Sequence, residues 1–288
     1  MNNLNLEWYP GHMKKAKELL ISNLKLIDVI IQVIDSRIPL SSINPDIMDI
    51  IKNKPFLIAL NKTDLAEDYW TDKWLEYFKA QNIKSVKINS VSGQGINKIL
   101  KSVENCYFEK KERLNQKGVV NRPINVMVVG IPNSGKSTLI NKIAGKKSAE
   151  TGNKPGVTKG KQWVRIGNRL NLLDTPGLLW PKFKDDRTGL MLAFTGSLKT
   201  NPDLNEEIAY ALLDFIKKDY LSLLCNKYNL KHEEYDDTLK LYDEIAKNTG
   251  NLIRDKTPDY NKTAELLLND FKNGKLGKIT SEKPEEVI

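Results

Sequence analysis

The sequence predicts an α/β fold, a mostly parallel sheet covered on both faces, followed by a second, smaller all-α domain. Three observations lead there. From residue 12 to residue 180, short runs rich in β-branched residues alternate with stretches of helical spacing. A glycine loop stands between one such run and the helix after it. Beyond Trp180 the strand-like runs stop and helical patterns remain. Alternation of this kind implies parallel strands joined by crossover helices. The division is set at residues 1–180, with a basic arm over 1–27, and residues 181–288.

The elements follow in order. Residues 12–24 read as a short basic helix. "DVIIQVIDSR" (Asp28 to Arg37) and "KPFLIALNKTD" (Lys54 to Asp64) are apolar runs ending in polar residues, as buried strands do. "EDYWTDKWLEYFKAQ" has helical spacing, and "IKSVKINS" (Ile83 to Ser90) is a third strand. The next helix carries Ile96, Ile99, Leu100 and Val103 on one face. The polar linker over 115–123 leads to the strand "INVMVVG" (Ile124 to Gly130), the glycine loop and the helix "KSTLINKIAG". "KQWVRIG" and "RLNLLDTPG" make a hairpin. In the second domain "NPDLNEEIAYALLDFIKKD", "YDDTLKLYDEIAKNTG" and "TPDYNKTAELLLNDFKNG" look helical, with Asp203, Thr257 and Asp259 as candidate caps and Gly250 and Gly274 at expected stops. The tail "SEKPEEVI" is expected to fray.

Composition limits the function classes. The chain of 288 residues is 40% hydrophobic and 28% charged, which fits a globular protein with a real core. No uncharged run reaches membrane-span length, and the N-terminus lacks a secretory pattern. Two cysteines, Cys106 and Cys225, form neither a zinc set nor a disulfide framework, so a cytoplasmic location is expected. Residues 1–180 carry 28 Lys/Arg against 16 Asp/Glu, while residues 181–288 carry 17 against 20. That asymmetry favours a polyanionic partner for the first part.

"GIPNSGKST" (Gly130 to Thr138) fits the phosphate-loop spacing G-x-x-x-x-G-K-[S/T]. Its glycines let backbone N–H groups of Asn133, Ser134, Gly135 and Thr138 turn toward phosphate oxygens. Lys136 reaches the terminal phosphates and Ser137 ligates Mg²⁺ in this reading. Asp174 ends an apolar strand, where a carboxylate holds Mg²⁺ through water, and the Gly177 N–H faces the terminal phosphate. Thr158 in "KPGVTKG" is the candidate for closing over Mg²⁺, with Thr151 as competitor. "NKTD" supplies base choice. The Asp64 carboxylate accepts from the guanine ring N–H and exocyclic amine together, and adenine has no such pair of donors. Asn61 bonds the base edge or neighbouring loops, the Lys62 stem covers the base, and Thr63 completes the turn. Asn89 and Ser90 follow the third strand and add contacts. "DTPG" and "NKTD" are each common in turns, whereas the phosphate loop between a strand and a helix is specific, and the four motifs together are strong.

The motifs match those of GTP-binding proteins, but "NKTD" precedes the phosphate loop. A sheet needs its strands adjacent in space, not in any chain order, so joining nearby ends preserves the core. With the opening "WYPGHMKKA" and the spacing "DTPGLLWPK", nearly the whole chain resembles the ribosome biogenesis GTPase A (YlqF) family of circularly permuted GTPases. Tyr9 stands where many relatives carry Phe. The resemblance implies a P-loop GTPase sheet in permuted order, GTP/GDP and Mg²⁺ as ligands, and a helical, RNA-binding C-terminal domain. It implies work on the large ribosomal subunit, with rRNA and ribosomal proteins as partners. A monomer off the ribosome is expected, needing neither zinc nor membrane. It also implies a catalytic role for His12, whose plain structural reading is a solvent-facing residue flanking the first helix. Leu178 occupies the position where many GTPases carry the water-orienting glutamine. Asn133 resembles the P-loop asparagine of potassium-dependent GTPases, against the reading of an ordinary turn residue. Slow turnover and ribosomal stimulation are expected. The alternative is a GTP-dependent RNA-binding switch on the small subunit or another RNA. Lys142, Lys146, Lys147, Lys154, Lys159, Lys161 and Arg165, with Lys14, Lys15 and Lys17, are the candidate phosphate contacts.

Overall fold

Six strands form one sheet: β1 (Val29–Asp35), β2 (Phe56–Asn61), β3 (Ser85–Lys87), β4 (Ile124–Val129), β5 (Gln162–Ile166) and β6 (Leu170–Asp174). The computed structural model describes residues 10–117, 122–145, 162–181, 183, 185–231 and 235–287. The strand order is β3-β2-β1-β4-β6-β5. All pairs are parallel except β5 with β6. The first three strands of the chain thus build one half of the sheet and the last three the other. They meet where β1 pairs with β4, from Val29 opposite Val126 to Gln32 opposite Val129.

Every residue of β1 is buried, which is why its sequence reads as a continuous apolar run rather than an alternating one. Val29, Ile31 and Val33 pack with Ile99 and Val103 of one helix and Leu139 and Ile140 of another. Those helices are α4 (Ile96–Gln116) and α5 (Lys136–Ala144). Ile34 faces the other side with Ile58, Leu60, Trp74 and Phe78. The two aromatics come from α3 (Asp68–Ala80). The chain opens with α1 (Pro10–Asn23), and α2 (Pro45–Ile51) follows β1. No helix was expected at α2, whose seven residues are too few for a periodic pattern. Its start is nonetheless well signalled: Asn44 accepts from the N–H groups of Asp46 and Ile47, and Pro45 occupies the first turn.

The chain divides into two compact units, residues 8–183 with 280–288, and residues 184–279 with 1–7. The described part of the second is helical: α6 (Asp186–Phe194), α7 (Asn205–Tyr228), α8 (Thr238–Thr249) and α9 (Tyr260–Lys272). Leu212, Leu213 and Ile216 of α7 are buried, as are Leu241 and Ile245 of α8 and Leu267 and Phe271 of α9. Asp259 caps α9 by accepting from Lys262, and Gly250 ends α8 at φ 71°. Asp203 is not a cap: Asn201 accepts from the Asp203 N–H and starts the turn ahead of α7. Thr257 uses its carbonyl to close a turn with the Ile253 N–H. The helix α6 was not anticipated, and α7 runs past the expected end through a kink at Tyr220.

The tail also departs from expectation. Thr280 to Glu282 belong to the sheet unit and are buried. The Glu282 carboxylate accepts from the Leu40 N–H at 2.6 Å, the Ser41 N–H at 3.0 Å and the Ser41 hydroxyl. The Trp74 indole N–H donates to the Glu282 carbonyl at 2.9 Å. A buried carboxylate is retained where donors satisfy it, and these donors lie some 240 residues earlier, beyond the reach of local reading.

Candidate guanine nucleotide site

The site lies at the C-terminal ends of β1, β2, β4 and β6, where open α/β sheets bind ligands. The phosphate loop leaves β4 at Gly130 and enters α5 at Lys136. Asn133 and Gly135 take positive φ, 58° and 97°. A Cβ on Gly135 would stand 2.2 Å from the Asn61 side-chain nitrogen, so glycine is required there. Gly177 is similarly tight: its Cβ would meet Pro132 at 2.6 Å.

Asn61 joins the two halves of the site. Its Nδ2 donates to the Ser134 carbonyl in the phosphate loop at 2.7 Å. Its Oδ1 accepts from the Ser90 N–H at 3.0 Å and the Ser90 hydroxyl at 2.8 Å. Of the two uses open to Asn61, the structure shows the bonds to neighbouring loops. Thr63 donates its hydroxyl to the Ile88 carbonyl at 3.1 Å, fixing the turn to β3. Asn89 shapes its own loop, with Oδ1 accepting from Val91 and Ser92. The Asp64 side chain is exposed, open to a base. Lys142 ties α5 to the same loop by donating to the Val91 carbonyl at 2.9 Å.

The phosphate side is charged and buried. Lys136 donates to the Ile131 carbonyl of its own loop at 2.8 Å, and burial pulls its ammonium down to about 8. Asp174 is fully buried; burial pushes its carboxyl up, against the Ser137 hydrogen bond and the Lys136 charge. Ser137 donates to Asp174 Oδ2 at 2.8 Å, while Asp174 Oδ1 has no hydrogen-bond partner. A hydroxyl beside a half-satisfied carboxylate fits a hard oxygen-seeking cation such as Mg²⁺, which keeps several waters and takes few protein ligands. Thr138 lies in the first turn of α5. Thr151 and Thr158 fall outside the described residues, as do Lys146, Lys147, Lys154, Lys159 and Lys161. His12 lies in the first turn of α1, and its side chain is outside the described set. Leu178 is buried and donates its N–H to the Gly130 carbonyl, so this position offers no polar group to a water.

Sequence reading left Arg37 unplaced and passed over Asp35. Both are buried, and the Asp35 carboxylate accepts from Arg37 Nη2 at 2.8 Å and from Lys62 Nζ at 2.9 Å. The two cations hold Asp35 well below the usual carboxylate range despite burial. No local signal marked the residue: Asp35 ends β1 in register with Asn61 of "NKTD" only once β1 and β2 are paired.

Residues 125–251 match the family described as 50S ribosome-binding GTPase, a stretch that starts at β4 and leaves the upstream "NKTD" out. Ribosome biogenesis GTPase A of Bacillus cereus is 46% identical over 98% of this chain and 95% of its own length. The Thermotoga maritima protein of that name is 28% identical over 98% of this chain and 96% of its own. A crystal structure described as GNP-bound YlqF from T. maritima superposes with a TM-score of 0.65 at 25% identity, covering 94% of this chain and 99% of the other. This chain belongs to the ribosome biogenesis GTPase A family, circularly permuted GTP-hydrolysing enzymes of ribosome biogenesis with a helical C-terminal part.

Proposed function

We propose that the protein binds the large ribosomal subunit or its precursor in the GTP state, and that hydrolysis drives a late assembly step and its own release. The observation that carries this reading is the likeness to relatives named ribosome biogenesis GTPase A along 98% of the chain, both units included. In this reading Asn133 to Thr138 and Gly177 hold the phosphates. Ser137, Asp174 and Thr158 serve Mg²⁺, and Asp64, with Lys62 and the Ser90 loop, reads guanine. Asn133 also offers an oxygen to K⁺. His12 positions the attacking water, a task Leu178 cannot perform. Phosphoryl transfer needs placement and charge stabilisation more than deprotonation, so turnover is slow alone and rises on the ribosome.

Arg37 is held by Asp35 and is no candidate for an arginine finger. Lys14 and Lys15 are exposed on α1 and free to meet rRNA phosphates, whereas Lys17 pairs with Asp46 at 2.7 Å. In the helical unit Lys217 and Lys218 pair with Asp214, and Lys227 with Asp270. RNA contact is therefore assigned first to the sheet unit. Co-sedimentation with separated subunits tests the proposal. With a GTP analogue the protein travels with the large subunit, and with GDP it does not. Equal retention on both subunits in either state contradicts it.

A further inference from the structure

We propose that Asp35 is a positioning residue for guanine recognition and that the docked C-terminal tail sets its grip, through a hydrogen-bonded path from Glu282 to Lys62. The inference rests on the reading of "NKTD" as the guanine loop and adds a control on that loop.

The path is continuous. Glu282 fastens the N–H groups of Leu40 and Ser41, and the Ser281 N–H donates to the Arg37 carbonyl at 2.7 Å. Glu67, ahead of α3, donates its N–H to the Thr280 hydroxyl at 3.0 Å. The loop after β1 is thus held from the tail side. On its other side Asp35 Oδ1 accepts from the Arg37 N–H at 3.1 Å and from Arg37 Nε at 3.0 Å. Asp35 Oδ2 takes Arg37 Nη2 and the Lys62 ammonium. The Asp35 N–H donates to the Ser42 hydroxyl at 3.1 Å, closing the loop on itself.

Lys62 needs this support. It sits at φ 61°, a conformation uncommon for a residue with a side chain, between Asn61 and the exposed Asp64. Its ammonium also feels the Arg37 guanidinium, and without Asp35 the partly buried Lys62 cation would face a fully buried one with no carboxylate between them. A displaced Lys62 no longer covers the base. Loosening the tail frees the Arg37 loop, and through Asp35 it frees Lys62. Linkage makes the effect mutual: nucleotide held by Lys62 must in turn tighten the tail.

A double-mutant cycle on the full chain tests this, read by the affinity of fluorescent GDP. Glu282→Ala is expected to weaken GDP by about fivefold or more. Lys62→Met weakens it too, and Glu282→Ala adds little in that background. Hydrogen exchange of the intact protein gives the reciprocal readout: GDP slows exchange at the Leu40 and Ser41 amides, and in Lys62→Met it does not. Independent, additive losses overturn the coupling, as does unchanged exchange at those amides while GDP is bound. That exchange result stands even if Glu282→Ala fails to fold. If the unaltered protein binds no GDP, the reading of "NKTD" falls first and the coupling with it.

Discussion

In the proposed site, the base side and the phosphate side are built in opposite ways. On the base side the polar groups around Asp64 are already spent on one another, and Asp64 itself stays exposed. Asn61 joins Ser134 and Ser90, and Lys62 is held by Asp35. On the phosphate side the charges are buried and half-satisfied. Lys136 turns back onto its own loop, and one Asp174 oxygen has no hydrogen-bond partner. The difference teaches what each side does. A base is recognised by shape and a fixed donor–acceptor pattern, which rewards preorganisation. A phosphate and its cation bring charge that the protein must meet with groups not yet committed.

This contrast can be broken first at Lys136. Lys136→Ala is expected to lower GTP hydrolysis by about 10²–10³-fold or more, measured as single-turnover phosphate release. The fold should hold, because the residue removed is a buried cation with one hydrogen bond to its own loop.

Asn61→Ala attacks the other side and should do the reverse. It leaves the Ser134 carbonyl and the Ser90 N–H without their partner, at a cost of about 2–3 kcal/mol of stability. Chemical denaturation reads that loss. GDP affinity falls with it, by about tenfold, since both loops lose register. A variant that loses affinity at full stability would show that Asn61 serves the base rather than the loops.

The smallest effect sharpens the comparison through pH. Burial sets the Lys136 ammonium at about 8, below its ordinary range, and bound phosphates favour its charged form. Nucleotide affinity is therefore full below about pH 8 and falls above it, by at most about tenfold per pH unit, because binding must then take up a proton. For the protein without nucleotide the sign is opposite. Between about 8 and the ordinary lysine range the unfolded chain holds more protons, so stability rises with pH there. Calorimetry in buffers of different ionisation heat counts the proton.

The strands and motifs were legible because each is a local signal. The apolar run of β1 and the spacing Gly130 to Ser137 need no knowledge of distant residues. The permuted order was legible too, since "NKTD" and the phosphate loop are recognised separately. What escaped shares one property: it depends on pairing across the chain. Asp35 acquires a role only when β1 lies beside β2, and Glu282 only when the tail meets Leu40 and Ser41. Short α2 and the stretch of α7 beyond Tyr220 escaped for a second reason: α2 has only seven residues, and the kink at Tyr220 breaks the phase of the helical pattern.

The central claim is that guanine is read by a carboxylate lying upstream of the phosphate loop in the chain. Asp64→Asn exchanges one carboxylate oxygen for an N–H donor. Xanthine carries a carbonyl where guanine carries its amine, so it pairs with that donor while guanine does not. Competition between GTP and XTP for the variant should show the preference shifted to XTP, with the unaltered protein preferring GTP. A variant that keeps its preference for GTP would contradict the account.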